Sequence, residues 1–361
     1  MYSIMQTRSN YVRKSFFELL PLRVRSSSQR IYRNVSSIKN ISHFSTVLPK
    51  YYPMIPSNTI WNTNTKLATI PRLNYDSCPI YNSISPILFD VSLRDGIQNA
   101  DPSKWSTDRK KAMLRYISDT EHPTRMEVGS LVSSKVLPIL GDSVEMYNHG
   151  IETLSENGVE VYMLVPSLSR LQTALNYNIT NMSFITSVSN SFQRKNTKRT
   201  LEETKEELAK MNMLVKDMPA IRKKLYISCI TECPISGKQD IDYVLREILM
   251  YHTEYKFDEL CLSDTCGTLT FDDYEYLLDA LIFFGVPASK ISLHLHVPDN
   301  NIENIRRILW YSFDKHVNKF DVSMVETGGC SVTMSRDKLL PNLSYDLFHR
   351  ILDRYIQYHL S

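Results

Sequence analysis

Residues 87–99 read ILFDVSLRDGIQN, an apolar run that leads into the charged pair Arg94 and Asp95. The same order, a short β-branched or apolar run followed by polar residues, recurs seven more times toward the C-terminus. Runs of this length and composition, bounded by polar segments, are typical of buried strands. The eight predicted strands cover 87–93, 125–130, 159–165, 182–188, 225–230, 259–265, 292–297 and 319–325.

Segments with a helical period lie between these strands. Apolar residues recur with a period of about 3.6 residues in 200–218, 241–252, 271–284, 301–313 and 345–358. Eight strand-then-helix units over about 275 residues predict an α/β protein with a (β/α)8 TIM barrel, since single barrels need roughly 250 residues. An open doubly wound sheet is the alternative, but no G-x-G-x-x-G turn follows any predicted strand.

The N-terminal part differs in composition from the rest. Residues 1–45 are rich in Arg and Ser, and Glu18 is the only acidic residue before position 76. This pattern predicts a mitochondrial transit peptide and hence a matrix location. A disordered basic arm without a transport role is the alternative, and the chain would then be cytoplasmic. Residues 46–85 are predicted to be a linker or a strap, and 86–361 the barrel domain.

Composition excludes several classes of protein. The 42 basic and 39 acidic residues give a net charge of +3, and the basic excess lies in the N-terminal segment, so no nucleic-acid face is expected. No apolar run approaches the ~20 residues of a membrane span. The 6 cysteines are scattered, and without a secretory leader they are expected to be reduced thiols. A hydrophobic fraction of 42% is sufficient for a large core.

Polar residues follow or interrupt the predicted strands where a barrel carries its chemistry. Active sites of such barrels lie at the C-terminal ends of the strands. One pair of polar residues follows the first strand, and others lie in the second, sixth and seventh strands or after the eighth. The candidate residues in this order are Arg94, Asp95, Glu127, Asp264, His294, His296 and Cys330.

The His-x-His pair in the seventh strand is the strongest sign of a metal. Side chains alternate along a strand, so His294 and His296 face the same side and can reach one cation. Together with Asp95 they form a nitrogen and oxygen set that suits Mg²⁺ or Mn²⁺. The alternative is a pair of hydrogen-bonded core histidines. Cys330, which follows two glycines, is either a proton-transfer residue or an apolar plug.

Six collinear segments resemble 3-hydroxy-3-methylglutaryl-CoA lyases. They are RDGIQN (94–99), MEVGSLVSSKVLPILGD (126–142), SCITECPISGK (228–238), LSDTCG (262–267), HLH (294–296) and GGC (328–330). Synthases of the same superfamily share Arg-Asp-Gly and His-x-His, but they usually continue with Glu-Gln and lack the Gly-Gly-Cys loop. The resemblance is therefore closer to the lyases.

The resemblance implies an enzyme of ketone-body and leucine catabolism that cleaves 3-hydroxy-3-methylglutaryl-CoA to acetyl-CoA and acetoacetate. It implies a divalent cation, Mg²⁺ or Mn²⁺, held by Asp95, His294, His296 and Asn342. It also implies an acyl-CoA substrate and a homodimer.

Catalytic roles follow from the same resemblance. Arg94 would stabilise the enolate oxygen, and Cys330 would protonate the enolate carbon. His294 or a neighbouring carboxylate would remove the hydroxyl proton. Glu127 and Asp264 would orient Arg94, the metal ligands and the substrate.

The chain also departs from the family pattern. Ala100 and Asp101 stand where these lyases carry Glu-Lys, and that lysine is expected to meet the acyl-CoA. A lyase or acyltransferase acting on a different 3-hydroxyacyl-CoA or on a 2-oxo acid is thus one alternative. A non-catalytic homologue is another, although it would have no need to keep Arg94, Asp95 and the histidine pair.

Overall fold

The computed structural model describes residues 78–325, 328–329, 332–335 and 338–361. The predicted basic segment, residues 1–45, lies outside the described residues, as do residues 46–77 of the predicted linker. The last part of that linker is described, and residues Pro79–Ile84 form a short helix, α1. Among the described residues, no helix has the length and apolarity needed to cross a membrane.

Eight parallel strands close into a barrel in the order β1-β10-β9-β8-β5-β4-β3-β2, and a two-stranded antiparallel hairpin, β6-β7, follows β5. The (β/α)8 prediction is therefore confirmed. The strands are β1 (Ile87–Asp90), β2 (Arg125–Ser130), β3 (Glu160–Leu164), β4 (Asn181–Ser187), β5 (Arg222–Ser228), β6 (Glu232–Cys233), β7 (Gly237–Lys238), β8 (Glu259–Asp264), β9 (Ile291–Leu295) and β10 (Lys319–Val322).

Helices surround the barrel and connect successive strands. Polar caps set where several of them begin: Thr200 and Glu203 form a capping box at the helix Leu201–Leu214, and Ser344 caps the helix Tyr345–Leu360. The helices after α1 are α2 (Thr107–Glu121), α3 (Ser143–Leu154), α4 (Leu168–Asn176), α5 (Asn190–Thr197), α6 (Leu201–Leu214), α7 (Ile241–Glu254), α8 (Phe271–Phe283), α9 (Ile302–Asp314) and α10 (Tyr345–Leu360).

Most strand residues are buried, which explains their continuous apolar runs, because a parallel sheet inside a ring of helices is covered on both faces. The barrel interior contains the edge-to-face pair Phe89 and Tyr162, whose ring centroids are 5.0 Å apart. It also contains charged side chains, including Lys224 and Asp321, each 1% exposed. Buried charges of this kind require partners.

Two strands end three residues earlier than predicted. β10 stops at Val322 and not at residue 325. β1 stops at Asp90, and Ser92–Gly96 form one turn of π-helix instead of continuing the strand to residue 93. The backbone N–H of Gly96 donates to the carbonyl of Val91 at 3.0 Å, which is the five-residue bond that defines such a turn. Single π-turns occur frequently at functional sites.

Candidate active site

The π-turn places Arg94 and Asp95 at the C-terminal mouth of the barrel. Both side chains are almost fully buried, at 6% and 4% exposed. Arg94 Nη1 donates to Asp95 Oδ1 at 2.6 Å. The two neighbouring side chains therefore hold each other at the same point of the mouth.

Arg94 is also fixed from the second strand. Its Nε donates to Glu127 Oε2, and the hydroxyl of Tyr226 donates to the same oxygen at 3.2 Å. The guanidinium lies 5.0 Å from the centroid of the Tyr226 ring. These contacts fix the plane of the guanidinium.

His294 and His296 lie on the same side of β9 and are buried. Their Nε2 atoms are 3.9 Å and 3.7 Å from Asp95 Oδ2. His294 Nδ1 lies 3.1 Å from Asp321 Oδ2, and His296 Nδ1 lies 2.9 Å from the carbonyl oxygen of Asp264. Both rings thus turn their Nε2 atoms toward one carboxylate.

The three side chains have the geometry of a cation site. One ligand atom from each of Asp95, His294 and His296 lies within 4.8 Å of the others. His296 Nε2 is buried and has no hydrogen-bond partner among the described residues. A buried imidazole nitrogen without a partner costs free energy unless something binds it. The donor set and this nitrogen fit a divalent cation.

Electrostatics of the site depend on burial and on close pairs. Burial alone would raise the pKa of Asp95, but Arg94 and the two histidines hold it well below its usual range. Burial lowers the pKa of His296, and Asp95 with the Asp264 carbonyl more than reverses this, so the net direction is upward. Asp95 is therefore an anion, as a metal ligand must be.

The remaining predicted residues are placed as follows. Asn342 Nδ2 donates to Asp95 Oδ2 at 3.0 Å, which brings this side chain to the cation site. The Asp264 carboxylate accepts the backbone N–H groups of Thr268 at 3.1 Å and Leu269 at 2.9 Å. Asp264 thus contacts His296 through its backbone carbonyl, and its side-chain carboxylate points to the following loop. Cys330 lies outside the described residues.

Two side chains that the sequence analysis did not single out hold the glycines before Cys330. Gln98 Nε2 donates to the carbonyl of Gly329 at 2.7 Å, and Asn99 Nδ2 donates to the carbonyl of Gly328 at 3.0 Å. The N–H of Gly329 in turn donates to Asp95 Oδ2 at 3.2 Å. Both amides belong to the RDGIQN segment, but only the fold shows that their partners are these carbonyls.

Asp321 and Tyr226 were also not predicted. Each lies inside a strand that was interpreted only as core, and each contacts a predicted site residue. A carboxylate between the apolar residues Phe320 and Val322 was the available signal for Asp321. For Tyr226 no signal distinguished it from an ordinary core tyrosine.

Comparison with known proteins gives the family. The HMGL-like family model matches residues 85–300, which is more than half of the chain. This chain belongs to the HMGL-like family. The match includes the π-turn, Glu127, Asp264 and both histidines.

Individual relatives agree with this assignment. The chain is 29% identical over 243 residues to a hydroxymethylglutaryl-CoA lyase of Bacillus subtilis, covering 67% of this chain and 77% of that one. It is 28% identical over 253 residues, 67% of this chain and 77% of the other, to the 3-hydroxy-3-isohexenylglutaryl-CoA/hydroxy-methylglutaryl-CoA lyase of Pseudomonas aeruginosa. The protein is accordingly a carbon–carbon lyase.

A solved structure supports the fold. The crystal structure of the Bacillus subtilis HMG-CoA lyase superposes with a TM-score of 0.64 at 24% identity, covering 75% of this chain and 86% of that chain. The similarity therefore extends over most of the barrel.

Proposed function

We propose that this lyase cleaves 3-hydroxy-3-methylglutaryl-CoA to acetyl-CoA and acetoacetate with the help of Mg²⁺ or Mn²⁺. The observation that carries the proposal is the convergence of Asp95, His294 and His296 on one point beside Arg94. A cation and a fixed guanidinium side by side provide the two positive charges that this cleavage needs, one at the hydroxyl and one at the thioester.

Asp95, His294 and His296 would hold the cation, and Asn342 would be the fourth ligand. In the described geometry the Asn342 amide nitrogen faces Asp95 Oδ2, and reversing the amide would present its oxygen to the same point. When bound, the cation polarises the tertiary hydroxyl of the substrate and fixes its orientation.

The residues around it would perform the bond changes. Loss of the hydroxyl proton turns the C–O bond into a carbonyl, the adjacent C–C bond breaks, and its electrons form the enolate of acetyl-CoA. We assign the proton transfer to a neighbouring carboxylate and not to His294, because His294 would bind the cation through Nε2 and donates through Nδ1 to Asp321. Glu127 Oε1 is a carboxylate oxygen suited to this role, since it is buried and has no hydrogen-bond partner among the described residues.

Arg94 would stabilise the enolate oxygen as negative charge moves onto it. Its Nε and Nη1 groups are already committed to Glu127 and Asp95, which orients the remaining Nη2 group. A pre-oriented charged donor needs little reorganisation when the charge develops. Glu127 and Tyr226 would hold Arg94, and Asp264 would hold His296 through its carbonyl.

Cys330 would protonate the enolate carbon and complete acetyl-CoA. Support comes from the neighbouring glycines, whose carbonyls are bonded to Gln98 and Asn99 and whose N–H at Gly329 is bonded to Asp95. These bonds tie the chain immediately before Cys330 to the cation ligand.

The test uses the full chain, freed of metal, and follows acetoacetate after addition of Mn²⁺ or Mg²⁺ and 3-hydroxy-3-methylglutaryl-CoA. We expect cation-dependent product that is lost in Cys330→Ala and Arg94→Ala. Absence of product with the cation bound would contradict the proposed substrate.

A different acyl group is the second candidate. Asp101 is exposed, caps the short helix Pro102–Lys104 and accepts the N–H of Ser103 at 3.0 Å, so it cannot replace the lysine expected to meet the acyl-CoA. The name of the Pseudomonas relative includes a substrate with a longer acyl group, 3-hydroxy-3-isohexenylglutaryl-CoA. Parallel assays with 3-hydroxy-3-isohexenylglutaryl-CoA would decide between the two, by the ratio of their kcat/KM values.

Two further expectations stay predictions. The matrix location depends on residues 1–45, and import of the full chain by isolated mitochondria would test it. The homodimer would be tested by light scattering of the purified chain.

A further inference from the structure

His294 has a second contact, on the side facing away from Asp95. Its Nδ1 lies 3.1 Å from Asp321 Oδ2, and the two residues are 5% and 1% exposed. Asp321 belongs to β10, next to β9 in the barrel, so backbone pairing fixes the distance between the two positions. His294 is therefore held between two carboxylates.

Asp321 is itself held by a buried lysine. Lys224 Nζ donates to Asp321 Oδ1, and it also lies 3.3 Å from Glu259 Oε1. The ammonium is 3.6 Å from the centroid of the Phe89 ring, which leaves it little freedom to move. A chain of contacts thus runs from Glu259 through Lys224 and Asp321 to His294.

This chain determines which nitrogen of His294 carries hydrogen. A carboxylate bonded to an ammonium group is an acceptor, so the hydrogen at the contact must come from His294 Nδ1. The Nε2 atom then keeps its lone pair and faces Asp95 Oδ2 at 3.9 Å. An imidazole with hydrogen on Nδ1 and a lone pair on Nε2 can bind a metal through Nε2. The contact with Asp321 keeps the ring in that orientation.

His296 provides a comparison within the same site. Its Nδ1 lies 2.9 Å from a backbone carbonyl, that of Asp264, which also accepts only. Both histidines therefore offer Nε2, but only His294 is supported by a charged side chain. When Nδ1–H donates a hydrogen bond to a charged acceptor, Nε2 becomes a stronger ligand for a metal. Loss of such a partner commonly changes the metal affinity 10–100-fold.

We propose that Asp321, fixed by Lys224, is a positioning residue that holds His294 in its ligand orientation. The inference rests on the proposed cation site and adds two residues to it. Neither of them touches the cation or the substrate.

The test measures Mn²⁺ binding to the metal-free full chain by calorimetry. We expect Asp321→Asn to weaken the Kd by about 10–100-fold, because the amide is a weaker acceptor of similar shape. Asp142→Asn is the matched control, since it removes a carboxylate that pairs at 2.6 Å with another buried lysine, Lys110, and that contacts Thr107 instead of a proposed cation ligand. An Asp321→Asn variant that binds Mn²⁺ as tightly as the unmodified chain would overturn the proposal.

Lys224 gives a second and independent comparison. Lys224→Met should weaken Mn²⁺ binding, whereas Lys224→Arg keeps the charge and should restore most of it. A purely structural role would lower thermal stability in both without separating their Kd values, and that result would also overturn the proposal.

A direct observation on the unmodified chain does not depend on any variant folding. Nitrogen NMR of the metal-free chain, recorded at a pH where the His294 imidazole is neutral and with its signals assigned through His294→Gln, should show hydrogen on Nδ1 and not on Nε2. A neutral imidazole with hydrogen on Nε2 alone would contradict the proposal. Because these readouts do not involve 3-hydroxy-3-methylglutaryl-CoA, they separate a failure of this inference from a failure of the proposed substrate.

Discussion

Charged side chains are paired differently at the two ends of the barrel. At the N-terminal end and in the interior, three cationic side chains face three carboxylates, a set that we call the floor: Arg125, Lys224, Lys319, Glu160, Glu259 and Asp321. At the mouth, Asp95 and Glu127 share Arg94, which is the one lysine or arginine that pairs with them among the described residues.

This difference separates a cluster that is complete within the chain from one that indicates a ligand, and Lys224 and Asp321 connect the two because they also support His294. The floor is balanced, so its charges neutralise each other and need nothing from outside the chain. Asp95 and Glu127 with Arg94 give the mouth a formal excess of one negative charge, and His296 Nε2 has no hydrogen-bond partner among the described residues. A balanced cluster is a structural feature, whereas an unbalanced buried one indicates a ligand of opposite charge.

The largest expected effect is on the mouth. Asp95→Asn removes the proposed anionic ligand of the cation, while Arg94 keeps Glu127 as its partner, so the fold should persist. A bound cation contributes several kcal/mol to such reactions, and we expect kcat/KM for acetoacetate formation to fall by at least about a thousandfold. Circular dichroism would check folding. Near-normal turnover by Asp95→Asn would contradict the contrast between the mouth and the floor.

Glu259→Gln tests the floor in the same way. Glu259 contacts the buried Lys224 and the partly buried Arg125 and Lys319, and its side chain is 5% exposed, so its loss leaves one excess positive charge in the floor. We expect the free energy of unfolding to fall by about 3–5 kcal/mol in denaturant titration.

A matched control for this variant is Glu160→Gln. Glu160 pairs with the same Arg125, but its side chain is 40% exposed. Its loss should cost no more than about 1 kcal/mol. Equal losses in the two variants would show that burial does not decide the contribution of floor charges.

Arg94→Lys should leave the cation in place and slow the chemistry. A lysine ammonium cannot contact Glu127 and Asp95 while also directing a donor to the enolate. We expect kcat to fall by about 10²–10³-fold with the Mn²⁺ affinity unchanged within a few-fold. Loss of Mn²⁺ binding together with turnover would mean that Arg94 supports the cation site instead of the enolate.

Lowering the pH should weaken the stabilisation that the floor provides, and this effect is smaller than those of the substitutions. Burial raises the pKa of Glu259, but Lys224, Lys319 and Arg125 outweigh burial, and the net direction is below its ordinary value of 4.5. Its ion pairs therefore stabilise the fold above that pH and are lost as the pH falls through the lowered pKa. The difference in melting temperature between the unmodified chain and Glu259→Gln should narrow below pH 4.5. A constant difference would contradict this.

Much of the fold was predictable from the sequence, because parallel strands buried on both faces leave continuous apolar runs. The runs 125–130 and 259–265 matched β2 and β8 to within one residue. The early end of β1 was not predictable, since the apolar residues Val91 and Leu93 continue the strand pattern through the π-turn. The hairpin β6-β7 was missed because two-residue strands leave no pattern.

The site was predictable where chemistry and position coincide, and not where it depends on packing. Asp95, His294 and His296 carry metal-binding groups at strand ends, and the structure brings them together. Asp321 and Gln98 act through long-range contacts, over sequence separations of 27 and 231 residues to His294 and Gly329. No local pattern encodes such distances.

The most direct test is a calorimetric titration of the metal-free full chain with Mn²⁺, run beside Asp95→Asn and Glu160→Gln. We expect one cation per chain for the unmodified protein, a similar affinity for the floor variant Glu160→Gln, whose carboxylate pairs with Arg125, and no measurable binding for the mouth variant. Equal binding by all three proteins, or no binding by the unmodified chain, would contradict the claim that the unbalanced mouth is a cation site.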